Sequence, residues 1–426
     1  YRRVVMLLAG WLALTAGCAE PVTAPLASAW LGINAEVGHY AAALPRPVVR
    51  HAATRPPASI PETPTTDIPA AYVRLLDDLG TPLVRDICPE VPGGEKPDWG
   101  SVDAWVHALA TVDRDLLCVW TEIPAEADLP AFAEKVRRFV ERYDGDRKDD
   151  MPGLIRPIRA YEFGHGIERI PVEQYAAALR AFSEAVHAAD PHATVALGTL
   201  HHAGAAGASD GNADVTYFER LLAASALQGP GYPYFQAVCF RNFPADHPGR
   251  TPFDHPFAYL RTTMAARGLM LPIWLTEFGF DRATRSDDLQ RDMLIRWALR
   301  ARALGMERAY IFALTDAEPA GSEGAARRYG LVARTETGEI VRRPAFAAVA
   351  TLMDELRERP AVEKRGEALY ALTGTGTPTY VLWREDAYDL PAPELFGWWE
   401  IRTLTGRRLV RQATEIQVTA TPMILR

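Results

Sequence analysis

Hydrophobic and polar positions follow two patterns that take turns along most of this 426-residue chain. From Ala29 onward, short and almost wholly apolar runs alternate with longer segments whose apolar residues recur every three or four positions. The first pattern is typical of strands buried on both faces, and the second of helices with one buried face. The strand-like runs begin at Ala29, Leu83, Leu116, Ala160, Thr194, Phe235, Pro272 and Arg308.

Eight strand-then-helix units predict an α/β fold, a (β/α)8 TIM barrel, over residues 28–357. A doubly wound open sheet is the alternative, but no G-x-G-x-x-G motif follows the first strand-like run. We therefore favour the barrel, and we predict no cofactor.

The pattern changes after about Arg359, where apolar and polar residues alternate in short runs separated by Gly, Pro and Asp. These runs are YALTG, TYVLW, EIRTL, RLVRQ and IQVTA. They predict that residues 358–426 form a small antiparallel, β-sandwich-like domain packed on the barrel.

The composition, 48% hydrophobic and 23% charged, is that of a folded globular chain. Lys and Arg number 46 and Asp and Glu 54, so the net charge is −8, and no basic block is present. Nucleic acid is therefore not an expected partner. The four cysteines show no CxxC or Cys/His spacing, so no metal site is predicted.

The N-terminal segment has the features of an export signal. Arg2 and Arg3 precede an apolar run, residues 4–16, that is too short to span a bilayer comfortably. The run leads through LTAGC into Cys18, which resembles a bacterial lipoprotein signal, although Thr15 stands where Leu is usual. We predict a signal peptide over residues 1–18, export to the bacterial envelope and membrane contact only through a lipid on Cys18. An ordinary signal peptide with an incidental cysteine is the alternative.

Candidate chemistry lies at the predicted strand ends, because barrel active sites are assembled at the C-terminal ends of the strands. Charged and aromatic residues stand at or near five of these ends. They are Arg85 in LVRDI, Trp120 and Glu122 after the third run, Glu162, His165 and Glu168 around the fourth, Glu277 in PIWLTEFGF, and Asp316 after the eighth.

Taken in order, four segments resemble the clan A glycoside hydrolases: LVRDI, ERYDGDRKDDMPGLIRPIRAYEFGHGIE, PIWLTEFGF and the ending TATPMIL. The resemblance extends from about Trp30 to the C-terminus. These hydrolases are retaining enzymes on a (β/α)8 barrel, many with a small β-domain. The resemblance implies that Glu277 is the nucleophile, that Arg85 supports it, and that the ligand is an oligosaccharide or polysaccharide.

Two positions depart from the family pattern. The family places an asparagine and then the acid/base glutamate after the fourth strand, and these positions fall on His165 and Gly166 in YEFGHGIE. The family often places a histidine and a tyrosine at the sixth strand, where VCFRNFP offers Arg241 and Phe243. The usual proton donor is therefore absent.

Retaining hydrolysis uses two carboxyl groups ~5–5.5 Å apart, and acid–base catalysis typically contributes ~10²–10⁴-fold. Glu162 lies four strand residues before Gly166, which places it ~13 Å deeper in the barrel and out of reach. Glu168, beyond the strand end, is the candidate for a relocated donor, nearer the ~6.5–9.5 Å separation of an inverting pair. Glu122 and His165 are weaker candidates.

Two functional hypotheses follow. The first is an exported glycoside hydrolase-like protein that binds a polysaccharide and hydrolyses it poorly; the alternative is an active glycosidase that uses a donor such as Glu168. Beside the candidate catalytic residues Glu277 and Glu168, the expected substrate contacts are Arg85, Glu122, Trp120, His165, Arg241 and Asp316.

Each candidate also has a structural interpretation. Glu277 could be a buried partner of Arg85 or Arg241, and Glu168 could be a charge at a helix N-terminus. Trp99, Trp120 and Phe312 are candidate platforms for sugar rings, but aromatic residues also fill cores.

Overall fold

The fold is described from a computed structural model. The described residues are 29–35, 37, 68–93, 97–201, 216–243, 253–282, 285–316, 328–335, 339–384, 398–412, 416 and 418–426. The predicted signal peptide with Cys18 lies outside them.

Eight parallel strands form a nearly closed barrel, which confirms the predicted fold class. Hydrogen-bonded neighbours run in the order β5-β4-β3-β2-β1-β8-β7-β6, and isolated parallel bridges from Ala196 to Ala237 and from Leu200 to Phe240 join the two ends. The strands are β1 (Leu31–Asn34), β2 (Leu83–Ile87), β3 (Asp115–Trp120), β4 (Ala160–His165), β5 (Thr194–Thr199), β6 (Val238–Asn242), β7 (Ile273–Phe278) and β8 (Arg308–Ile311).

Helices follow the strands and cover the outside of the barrel. The third helix shows why these segments are helical, because its buried residues recur at the helical period. They are Phe132, Val136, Phe139, Val140 and Tyr143. The helices are α1 (Ile68–Leu79), α2 (Gly100–Leu109), α3 (Leu129–Tyr143), α4 (Val172–Ala189), α5 (Tyr217–Ala223), α6 (Asp254–Ala265), α7 (Asp287–Ala303) and α8 (Pro344–Glu358). None in the described part of the chain is long and apolar enough to cross a membrane.

A plug of side chains fills the N-terminal half of the barrel interior. Small residues on one side face large ones on the other, so that the layer closes without a channel. The plug consists of Leu83, Leu117, Ala160, Ala196, Ala237, Cys239, Trp274 and Tyr310. Polar side chains therefore meet only beyond it, toward the C-terminal ends of the strands.

The C-terminal tail forms one six-stranded antiparallel sheet, which confirms the predicted small antiparallel β-domain. It follows a hairpin of β9 (Val332–Arg334) and β10 (Ile340–Arg342) that leads into α8. The sheet order is β11-β12-β13-β16-β14-β15. Its strands are β11 (Ala361–Lys364), β12 (Leu369–Thr373), β13 (Thr379–Leu382), β14 (Trp398–Thr403), β15 (Arg408–Gln412) and β16 (Met423–Leu425).

Barrel helices are the packing partner of this sheet. Trp383 stacks on Tyr370 at 5.2 Å and lies under the guanidiniums of Arg296 and Arg300 on α7. Glu355 of α8, which is fully buried, accepts from Arg402 Nη1 at 2.7 Å and Arg426 Nη2 at 2.6 Å. Glu355 therefore ties the sheet to the barrel.

We predict that Glu355→Gln lowers the free energy of unfolding by about 3 kcal/mol, because it removes a buried carboxylate shared by Arg402 and Arg426 and leaves Arg402 only the exposed Asp354. Urea denaturation of the variant measures this. Glu358→Gln on the same helix is the matched control, since its side chain is 65% exposed and such pairs contribute only ~0–1 kcal/mol. Equal losses in both variants would contradict the assigned role of Glu355.

Candidate functional site

Arg85 of β2 is the centre of a buried polar cluster inside the barrel. Its Nε and Nη2 donate to the two carboxylate oxygens of Glu162 at 2.7 and 2.8 Å, and its Nη1 donates to Glu277 Oε1 at 2.9 Å. Both carboxylates are almost inaccessible to solvent, with Glu162 at 0% and Glu277 at 3% exposure. One guanidinium therefore compensates two buried negative charges.

Neutral side chains occupy the remaining polar positions around Arg85. Asn34 Oδ1 accepts from Arg85 Nη1 at 2.6 Å, and its Nδ2 donates to the carbonyl of Thr276 at 3.1 Å. The Thr199 hydroxyl donates to Glu162 and lies 2.7 Å from the Thr276 hydroxyl. These contacts join β1, β2, β4, β5 and β7 into one network.

Glu162 was predicted to lie too deep in the barrel to donate a proton in the cleft. It is buried, but the prediction overlooked its pairing with Arg85. Glu162 has no accessible surface and makes no direct contact with the rim, yet it shares Arg85 with Glu277. Both carboxylates accept from the same guanidinium group, so they lie on adjacent sides of it. Nothing in the sequence pattern indicated that pairing.

Glu277 lies at the rim of this cluster because β7 is irregular there. The register between β6 and β7 shifts so that Phe240 pairs with Leu275 but Arg241 pairs with Glu277. Thr276 is the extra residue, and both it and Glu277 turn toward the barrel axis. Glu277 Oε2 lies 3.5 Å from Arg241 Nη1, and Oε1 lies 3.6 Å from His165 Nδ1.

Burial and charge shift the pKa values of two members of the site. Burial lowers the pKa of Arg85, but the charge and hydrogen bonds of Glu162 and the charge of Glu277 outweigh it, so the guanidinium pKa is raised and the group stays charged. Burial is also the largest cause that lowers the pKa of His165; Glu277 opposes it, and Arg85 adds to it. His165 is therefore neutral at neutral pH.

The predicted proton-donor position is occupied by backbone and by a neighbouring ring. Gly166 adopts a left-handed conformation, with φ +64°, and its N–H donates to the carbonyl of Thr199 at 3.0 Å. A Cβ at residue 166 would lie 2.5 Å from Cε1 and 2.7 Å from Nε2 of His201. His201 therefore fills the space into which a side chain at position 166 would extend.

Glu168 lies in a single turn of 3-10 helix, Ile167–Arg169, just beyond β4. Its Oε1 accepts the backbone N–H of His201. The His201 ring in turn contacts His165 edge-on, with ring centroids 5.2 Å apart. Glu168 thus holds the segment after β5 against the end of β4.

Three partly exposed aromatic rings flank Arg241 on the other side of the cleft. Phe243, Phe312 and Tyr329 contact one another with centroid distances of 5.1 to 5.7 Å. The Arg241 guanidinium lies 5.6 Å from the centre of the Phe243 ring. Sequence reasoning proposed Phe312 but missed Tyr329, which follows β8 in a loop without any motif.

Three of the predicted substrate contacts have partners within the protein. Trp120 is 2% exposed and packs against Phe132 and Phe139, so it is a core residue and its prediction as a sugar contact is wrong. Glu122 pairs with Lys135 of α3 at 2.6 Å. Asp316 accepts from the Gly330 N–H and from Arg343, which ties the end of β8 to the start of α8.

Trp99 and a group of three carboxylates also have structural contacts in the barrel. Trp99 packs on Phe139 and Tyr143 of α3. Within the described ranges, one group of carboxylates lies close enough to share a cation, in the loop after α3: Asp144, Asp146 and Asp150. Their oxygens accept backbone N–H groups of the same loop, which stabilises its turn.

We predict that His165 makes the protein less stable in acid. Its folded-state pKa lies below the ordinary value of about 6.5, so between the two values the unfolded chain binds more protons and stability falls as pH falls. The loss begins near the unfolded pKa and is complete below the folded one. Urea denaturation at about pH 8 and about pH 5 should show a smaller pH-dependent loss in His165→Gln than in wild type. His255→Gln, an exposed histidine on α6, is the control, and equal losses in all three proteins would contradict the prediction.

The chain resembles known proteins in its fold but not in its overall sequence. No protein-family model and no curated protein matches the sequence. Solved structures do match. A family 39 glycoside hydrolase from Bacteroides cellulosilyticus WH2 is 15% identical with a TM-score of 0.63, over 85% of this chain and 79% of that one. A glucosidase from Croceicoccus marinus is 13% identical with a TM-score of 0.61, over 83% and 91%.

A monomeric β-xylosidase from Caulobacter crescentus CB15 is 12% identical with a TM-score of 0.58, over 84% of this chain and 91% of that one. Identities this low establish the fold alone. The chain therefore shares the barrel and β-sheet architecture of glycoside hydrolases, as its sequence motifs predicted.

Proposed function

We propose that this protein binds an oligosaccharide or polysaccharide at the C-terminal end of the barrel and hydrolyses ordinary glycosides very slowly or not at all. The glycoside hydrolase fold supports a carbohydrate ligand. Glu277, at the end of β7, supports a retained nucleophile position, because its carboxylate sits at the rim and is held by Arg85 and Arg241.

The single observation that carries the proposal is the occupied space at Gly166. A proton donor there needs a side chain, and the first carbon of that side chain would meet the His201 ring at 2.5 Å. Without acid assistance the leaving oxygen departs as an alkoxide, which lowers the rate of bond cleavage by a factor of ~10²–10⁴. Ordinary sugar leaving groups therefore react too slowly for turnover.

The other described groups near the rim are poor substitutes for that donor. Glu162 is fully buried and binds Arg85 through both oxygens. His165 is neutral at neutral pH because burial lowers its pKa, so it carries no proton that it readily gives up. Glu168 holds the His201 backbone through Oε1.

The rim is suited to holding a sugar. Glu277 and Arg241 offer an acceptor and a donor to hydroxyl groups, and the rings of Phe243, Phe312 and Tyr329 present apolar surface beside them. Pyranose rings have apolar faces that pack on aromatic side chains, while their hydroxyls need paired polar partners. Binding therefore survives the loss of the acid.

The alternative is an active glycosidase that uses Glu168 as its acid. This requires Glu168 to leave the His201 N–H and turn over the cleft when substrate binds. The same set of variants distinguishes the two functions.

We predict that wild type releases no sugar from unactivated polysaccharides but slowly releases dinitrophenolate from dinitrophenyl glycosides, whose leaving group needs no proton. Azide should accelerate that release and yield a glycosyl azide of retained configuration, because a small anion can attack the glycosyl–Glu277 intermediate without a general base. Glu277→Gln should abolish the release, whereas Glu168→Gln should keep it. Spectrophotometry and mass spectrometry follow the two products.

The matched control for these variants is Glu126→Gln, in an exposed turn before α3. Titration of a polysaccharide panel by calorimetry should show binding to wild type and to Glu168→Gln. Brisk turnover of unactivated glycans that both Glu277→Gln and Glu168→Gln abolish would overturn the proposal and make Glu168 the acid.

A pair of substitutions tests the blocked position directly. Gly166→Glu alone should not restore hydrolysis, because φ +64° costs a non-glycine residue ~1–2 kcal/mol and His201 obstructs the side chain. Gly166→Glu combined with His201→Ala removes the obstruction, and we predict that it hydrolyses unactivated glycosides faster than either single variant. Initial rates of reducing-sugar release measure this, and a faster Gly166→Glu single variant would contradict the assigned role of His201.

We also propose that the protein is exported and lipid-anchored in the bacterial envelope, from the Arg2-Arg3 pair, the short apolar run and Cys18. The full-length precursor with Cys18→Ser should move from the membrane to the soluble fraction of the envelope while the barrel still folds. Immunoblots of fractionated cells measure this, and Cys88→Ser is the control. Equal membrane recovery of both variants would contradict lipidation.

A further inference from the structure

A second cavity lies at the opposite end of the barrel from Glu277 and is independent of the proposed function. Its volume is about 490 Å³, within the ~300–1,000 Å³ of small-molecule pockets. It is enclosed by the N-terminal ends of β1, β2 and β3 together with α1 and α8. Its apolar wall includes Leu31, Leu76, Met353 and Leu356.

Two buried donors on residues that line this cavity meet no acceptor among the described residues. They are Trp30 Nε1 and Arg114 Nη1. Trp30 is 2% exposed and Arg114 3%. A buried donor without a partner costs about 1–3 kcal/mol, and more when it is charged, so these atoms point to a ligand that carries acceptors.

The charge of Arg114 is only partly compensated. Its Nη2 donates to Asp77 at 2.7 Å, but the Asp77 side chain is 61% exposed, and an exposed partner is well solvated. Burial accordingly lowers the pKa of Arg114 despite the opposing charge of Asp77. An anion inside the cavity would supply the missing compensation.

A second guanidinium lies at the mouth. Arg357, near the end of α8, lines the cavity, and its Nη2 would lie 3.1 Å from a Cβ at Gly80. Gly80 has φ +66°, so glycine serves both the backbone turn after α1 and the close approach of Arg357. Asp113 and Asp77 also line the cavity, and their charges disfavour a multiply charged ligand.

We infer that this cavity binds a small organic monoanion, a carboxylate on a compact apolar body. The carboxylate accepts from Trp30 Nε1 and the two guanidiniums, and the body packs on the aliphatic wall. Such a site at the N-terminal end of the barrel is separate from the sugar-binding rim, and its occupancy stabilises the junction of α1, α8 and β1.

The test uses hexanoate and benzoate as probes, with hexanamide, benzamide and inorganic phosphate as matched comparisons. Calorimetry and saturation-transfer NMR on the full chain should show saturable 1:1 binding of one or both carboxylates and none of the amides or phosphate. Each carboxylate that binds should raise the unfolding temperature in proportion to its occupancy.

Trp30→Phe and Arg357→Gln should each weaken carboxylate binding about ten- to hundredfold, the effect of one lost hydrogen bond to a charged group. Arg342→Gln, an exposed arginine paired with Asp78, and Arg241→Gln, at the sugar-binding rim, should leave it unchanged. Because Arg357 is exposed, its variant folds even if Trp30→Phe does not.

Absence of saturable carboxylate binding to wild type, equal binding of the amides, or full affinity in Arg357→Gln would each overturn the inference. A loss in Arg241→Gln alone would place the carboxylate at the rim and overturn it equally. Failure of the sugar-binding experiments leaves these results unaffected, since the two sites share no residue.

Discussion

The barrel interior depends on the pairing of the Arg85 guanidinium with two buried carboxylates, those of Glu162 and Glu277. Two carboxylates lie where almost no water reaches, and moving such charges out of water costs several kcal/mol each unless a partner and hydrogen bonds offset it. Arg85 binds both, and Thr199 and Asn34 complete the remaining hydrogen bonds. A barrel that closes over apolar layers can therefore still contain a charged layer near one end.

This constraint determines what the rim can do. Because Arg85 holds both Glu162 and Glu277, the Glu277 carboxylate at the barrel rim is kept beside a positive charge. Burial, together with the same positive charge, lowers the pKa of His165 and keeps its ring neutral. The proposal of weak hydrolysis rests on the contact between the His201 ring and the space beside Gly166.

The two ends of the barrel differ in structure. At the C-terminal end, irregular strands and loops bring polar groups together above an apolar plug. At the N-terminal end, short connections leave a cavity with buried donors beside aliphatic side chains. The antiparallel sheet adds stability on the side of α7 and α8 through Glu355 and Trp383.

The periodicity of apolar residues by itself determined the eight strand-helix units, because burial on both faces of a strand and on one face of a helix imposes different spacings. It also placed Arg85 and Glu277 at strand ends. Strand parity, however, would turn Glu277 to the face opposite Trp274, and only the bulge at Thr276 directs it inward. A bulge depends on the register of neighbouring strands, which no single strand encodes.

Contacts between distant segments were likewise decided by the tertiary structure alone. Trp120 stands three residues after the inward-facing Leu117, so alternation turns it into the outer core, and its aromatic character gave no sign of which face it covers. Gly164, with φ +91°, interrupts the alternation of β4 so that His165 faces Arg85. His201 and Tyr329 come from loops after β5 and β8, and loop residues meet a site through three-dimensional closure rather than through any spacing along the chain.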